Sequence, residues 1–86
     1  MNTLILTGAM QVVVGTILNA GTPCPDLRLE DGAVIAVSGV PSHVRTGDRI
    51  RIEGRTRHSL SCQKEVFAAR EVTVLSPARE DAPPLR

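Results

Sequence analysis

Val44-Arg45-Thr46-Gly47-Asp48-Arg49-Ile50-Arg51-Ile52-Glu53-Gly54 is the stretch that decides the fold. Its centre, Gly47-Asp48, has the chemistry of a tight turn: glycine takes positive φ without steric cost, and aspartate bonds to nearby backbone. Beyond the turn the residues alternate strictly. In an extended chain Ile50 and Ile52 fall on one face and Arg49, Arg51 and Glu53 on the other. Gly54 stands where a strongly coiled strand needs backbone freedom. A half-buried strand entered through a tight turn fits a small closed β-barrel.

Working outward, Gln11 to Leu18 is rich in β-branched residues and ends at the turn-forming run Asn19-Ala20-Gly21-Thr22-Pro23-Cys24-Pro25, so it reads as a first strand and a loop. Leu4-Ile5-Leu6 is a candidate beginning for that strand. Gly8 and Gly15 would weaken a straight strand but suit one that bends to serve two sheets. Asp26 to Glu30 alternates and leads into Asp31-Gly32, expected as a tight hairpin with positive φ at both central residues. Ala33 to Val37 is then a second member of that hairpin. Ser38 to Thr46 contains Gly39 and Pro41 and has room for one helical turn at most.

Asp48 to Arg57 is the fourth strand, His58 to Lys64 a polar loop, and Glu65 to Leu75 the fifth strand, with a helical reading of Lys64 to Arg70 as the alternative. Val66, Ala68, Val72 and Val74 share one parity while Phe67 and Ala69 hold the other, which predicts a bulge near Ala69-Arg70. Ser76 to Arg86 carries Pro77, Pro83, Pro84 and alternating charges, the composition of a tail. The expected organisation is one β-barrel domain over residues 1–75 and a disordered tail over 76–86. The fold class is all-β: a five-stranded oligonucleotide/oligosaccharide-binding (OB)-like barrel, with an SH3-like barrel as the alternative.

Eighty-six residues allow one small core, and branched aliphatics must build it, because Phe67 is the only aromatic residue. A formal net charge of +1 supplies no global field toward nucleic acid or an anionic membrane. No apolar run reaches the length of a membrane span. The first residues, Met1 to Gly8, carry no Lys or Arg before a short apolar run and make a poor secretory signal. The expected location is cytoplasmic, or periplasmic or secreted if a leader has been removed and the cysteines are bridged.

Gly15-Thr16-Ile17-Leu18, Cys24-Pro25, Asp31-Gly32, Gly47 to Gly54, Ser61-Cys62 and a final Val-rich strand, in that order, resemble a family of small bacterial OB-like domains of unknown function. The resemblance covers Gly15 to Leu75. It implies a barrel and a pairing of Cys24 with Cys62, and it attaches no activity. Members commonly carry an aromatic residue where this chain has Ile35.

Cys24 and Cys62 each lie in a loop bounding a strand. Paired, they imply an oxidising compartment; reduced, they are small semi-buried apolar residues. With His58 and His43 they match a tetrahedral zinc site in number, but no Cys-x-x-Cys clip preorganises one, and neither a metal nor another cofactor is expected. Arg49, Arg51, Arg55 and Arg57 alternate along one strand and form the candidate binding face, interrupted by Glu53, with Arg28, Arg45 and Arg70 as extensions. Such a stripe meets phosphates or carboxylates, or simply solvates a strand and discourages aggregation. Single-stranded nucleic acid is usually held by stacking as well as charge, and one phenylalanine makes no stacking platform.

Ser59, Ser61 and His58 are too close in one loop for a nucleophile and base with a third group to orient them, and Asp48 reads as turn chemistry. No Gly-rich loop precedes a helix. The expectation is a non-enzymatic binding module acting through strand edges and the Arg face on a protein partner or a second copy. The alternative is weak, sequence-independent binding of a nucleic-acid backbone.

Overall fold

In the computed structural model, which describes residues 9–78, every period-two stretch becomes a strand: β1 (Gln11–Ile17), β2 (Asp26–Leu29), β3 (Val34–Ser38), β4 (Arg49–Ser59) and β5 (Lys64–Ser76). Lys64 to Arg70 is strand, so the helical alternative falls. Neighbours in the sheet run β1-β2-β3-β5-β4, and β4 returns to β1 to close the barrel. All pairs are antiparallel except β3 with β5. An SH3-like barrel, antiparallel throughout, has no such pair; the architecture is the OB-like one.

Closure depends on β1 serving two partners. Gly15 sits opposite Leu29 of β2 and Ile50 of β4 at once. A Cβ there would fall on the carbonyl of Arg28, so only glycine lets the strands approach this closely. Gly54 does the same for β4, where a Cβ would fall on the Ala68 carbonyl oxygen.

The interior is lined by Ile17, Leu27, Val37, Val44, Ile50, Ile52 and Phe67, all buried. Burying each such side chain contributes roughly 2 kcal/mol before entropy is counted. Ile50 and Ile52 point inward and face Val74 and Val72 of β5. Between the pairs Glu53 with Glu71 and Gly54 with Ala69, β5 has one extra residue, Arg70, and the expected bulge lies there. It resolves the mixed parity: before it Phe67 and Ala69 face inward, after it Val72 and Val74 do. A second irregularity, at Leu75, separates the Ile50–Val74 and Arg49–Ser76 pairs.

The β2–β3 hairpin differs from expectation. Only Gly32, φ 95°, has positive φ, and Asp31 does not. Gly32 N–H donates to Leu29 O at 2.9 Å and Leu29 N–H to Ala33 O at 2.7 Å, giving a three-residue loop in which glycine alone takes the left-handed position. The Asp31 carboxylate stays in service by accepting the Ala33 N–H at 2.9 Å.

Between β3 and β4, a single turn from Pro41 to Val44 is closed by the Val44 N–H donating to Pro41 O at 3.1 Å. Asp48 then makes the structural contacts expected of it and one more. Its side chain accepts the Arg45 N–H at 2.9 Å and the Ala78 N–H at 2.7 Å, and it is 4% exposed. The second bond corrects the tail boundary. β5 continues through Ser76 and Ala78 is buried, so the chain is held past residue 76. Residues 79–86, Leu4-Ile5-Leu6 and Gly8 lie outside the described residues.

Candidate functional site

β3 and β5 touch over only two register pairs, Val37 with Phe67 and Ser38 with Ala68. Before that contact the strands part. Val34, Ile35 and Ala36 pair only with β2, and Lys64, Glu65 and Val66 only with β4. The gap is a cleft of about 380 Å³ whose lining includes Ile35, Val66 and Phe67, with Asp26, Lys64 and Glu65 as its charged residues.

Backbone alternation decides what the gap offers. Ala33 O accepts from Leu29 and Val37 N–H donates to Pro25 O, so residues 33, 35 and 37 direct their backbone groups at β2. Val34, between them, directs its N–H and C=O the other way, and the residue is 53% exposed. The result is an apolar recess beside an unpaired strand edge, the form of a site that accepts an extended chain.

The Arg residues of β4 share the outer face, as expected, but do not act as one stripe. Arg49 is ion-paired with Glu30 of the β2–β3 hairpin. Arg51 is half-buried, opposite Val14 of β1 and Thr73 of β5. Glu53 sits opposite Glu71, which puts two carboxylates in the middle of the row. Arg55 and Arg57 are exposed and meet no carboxylate among the described residues; Arg55 instead lies 3.9 Å from the Met10 sulfur. Of the five-position row, Arg55 and Arg57 at its far end are the two exposed guanidiniums without a carboxylate among the described residues.

Those two lead to the cysteines. Cys24, in the β1–β2 loop, and Cys62, in the β4–β5 loop, stand at disulfide-bonding distance with Cα atoms 6.4 Å apart. The bridge fastens together the two loops at one end of the barrel. With both thiols used in it, a zinc site built on Cys24, Cys62, His43 and His58 loses its sulfur ligands. Beside the bridge is a second cleft of about 340 Å³ whose lining includes Ser38, Arg57, His58, Ser59, Ser61 and Val66. Ser59 Oγ accepts the Cys62 N–H at 3.2 Å and stands 4.0 Å from Cys24 Sγ. The β4–β5 turn closes with Gln63 in the left-handed region, φ 58°.

His58 Nδ1 lies 3.6 Å from a Glu65 carboxylate oxygen at the surface, and His43 is exposed in the β3–β4 loop, on a different segment. Asp48 is taken up by two backbone N–H groups. Sequence reasoning missed the β3–β5 cleft, because no residue type announces that two strands diverge. Ile35 lines the cleft. No helix among the described residues is long and apolar enough to cross a membrane. A scan of the chain against protein-family models finds no match, and a search of the curated proteins finds none either.

Proposed function

We propose that this domain is a non-enzymatic interaction module that binds an extended segment of a protein partner in the cleft between β3 and β5. The observation that carries the reading is the unpaired edge at Val34, above a recess lined by Ile35, Val66 and Phe67. A strand laid there gains main-chain hydrogen bonds from backbone groups that β2 leaves free, and its side chains reach apolar surface. The bridge between Cys24 and Cys62 favours an oxidising compartment as the place of action.

The test is a substitution that removes a donor from the cleft and nothing from the ladder. Val34→Pro deletes an N–H that faces away from β2, at the first residue of an edge strand where proline is tolerated. Peptides selected from a displayed library against the bridged protein should shift the amides of residues 34–36 and 64–66 in NMR spectra. Val34→Pro should abolish that binding and leave the melting temperature within a few degrees. Peptides that map elsewhere, or that bind Val34→Pro equally well, would remove the reading.

A second reading rests on Arg55 and Arg57, which are exposed without carboxylate partners among the described residues. Two guanidiniums tracking a single-stranded backbone would give a slope of log affinity against log salt of roughly −1.4. A flat salt dependence, or no binding to single-stranded oligonucleotides at low salt, would eliminate it.

A further inference from the structure

The cleft beside the disulfide differs from the β3–β5 cleft in its charge. Asp26 and Glu65 line the latter; among the described residues no carboxylate lines the former, whose charged or titratable lining residues are Arg57 and His58, the second of them 3.6 Å from Glu65. Arg57 offers a fork of N–H donors and has no carboxylate partner among the described residues. The Ser59 hydroxyl accepts the Cys62 N–H with its oxygen, so its own proton must be given elsewhere, and a disulfide sulfur 4.0 Å away is a poor acceptor. Ser38 and Ser61 add two more hydroxyls to the lining. One guanidinium and three hydroxyls, with no acidic side chain among the described lining residues, make a lining rich in donors.

We propose that this cleft binds an oxyanion group, phosphate or carboxylate, with Arg57 as the charged anchor and the Ser59 hydroxyl as the second donor. Apolar walls around a single sign of charge strengthen such an interaction over what an arginine in open water provides. Val66, which is 2% exposed, Ala68 and Pro23 supply those walls. Pro23 and Cys24 come from the β1–β2 loop, while Arg57, Ser59 and Ser61 come from β4 and the loop after it. The Cys24–Cys62 bridge holds the two sides together, and opening it releases the Pro23 wall from the donors on β4 and its loop. Oxyanion binding is thus tied to the oxidised state. This inference is independent of strand addition, and Val34→Pro leaves it intact.

The experiment is an NMR titration of the full, isotopically labelled chain in its bridged form with inorganic phosphate and, separately, with acetate, at constant ionic strength made up with chloride. The expected result is a saturable shift confined to the amides of Ser38 and Arg57 to Ser61. Arg57→Gln should weaken it about tenfold, and Arg57→Lys, which keeps the charge without the fork, should lie between. Reduction of the bridge should also abolish it in a chain whose spectrum remains dispersed. Preference for phosphate points to a phosphorylated ligand and preference for acetate to a carboxylate-bearing one. Shifts that do not saturate, that run evenly along β4, or that are unchanged in Arg57→Gln would overturn the proposal.

Discussion

Opening the bridge between Cys24 and Cys62 should cost this domain most of its stability. The two residues are 38 positions apart, and closing a loop of that length removes denatured-state entropy worth about 4 kcal/mol in the chain-entropy model. A domain of this size has on the order of 5 kcal/mol to lose. At about 4–8 °C per kcal/mol for a chain of 60–100 residues, the melting temperature should fall by roughly 15–30 °C. With no tryptophan or tyrosine in the chain, far-UV circular dichroism in urea is the suitable probe. Bridged protein, protein reduced with a thiol reagent and the Cys24→Ser/Cys62→Ser double variant should be compared. If the denatured chain carries the effect, the urea m-value should rise on opening the bridge, because an uncrosslinked chain exposes more surface when it unfolds. Equal midpoints in the bridged and open forms would refute the entropy reasoning. A large loss with an unchanged m-value would move the effect into the folded state, to the loops that the bridge joins.

Five further substitutions, at four positions, test the frame. Asp48→Ala removes the acceptor for one buried and one part-buried backbone N–H group and should cost about 3 kcal/mol by urea denaturation, while Asp48→Asn, which keeps one carbonyl oxygen, should cost about half of that. Gly54→Ala places a methyl group on the Ala68 carbonyl and should destabilise by about 3 kcal/mol or prevent folding, whereas Ala at exposed Gly21 in the β1–β2 loop meets no atom within 4 Å and should cost only the strain of its positive φ. Gln63→Gly relieves a left-handed residue in the β4–β5 turn and should raise the melting midpoint by an amount equivalent to about 0.5–1 kcal/mol; an unchanged or lowered midpoint would show that the side chain of Gln63 is itself needed.

Much of the frame was legible residue by residue. Alternation in Arg49 to Gly54 placed Ile50 and Ile52 inside, and the parity change between Ala69 and Val72 announced the bulge at Arg70. Turn chemistry placed the chain reversals at Asp31-Gly32 and Gly47-Asp48, although the first took a three-residue form because only its glycine adopts positive φ. The candidate site was less legible. Four arginines on alternate positions read as one charged face, but Glu30 reaches Arg49 from another hairpin and Glu71 pairs opposite Glu53 from another strand. Neither partner is a sequence neighbour of β4.

The sequence by itself determined which segments are extended, which side chains each strand buries and where the chain turns, because these depend on period, side-chain branching and φ preferences within a few residues. Only the tertiary structure decided that β3 and β5 pair at just two positions and stand apart before them, that the loops of Cys24 and Cys62 meet, and that Asp48 holds the Ala78 N–H across 30 residues. Those outcomes follow from barrel closure, in which strand coiling and the close approaches at Gly15 and Gly54 set the spacing of segments far apart in the chain. No local pattern records that spacing, and it makes both clefts.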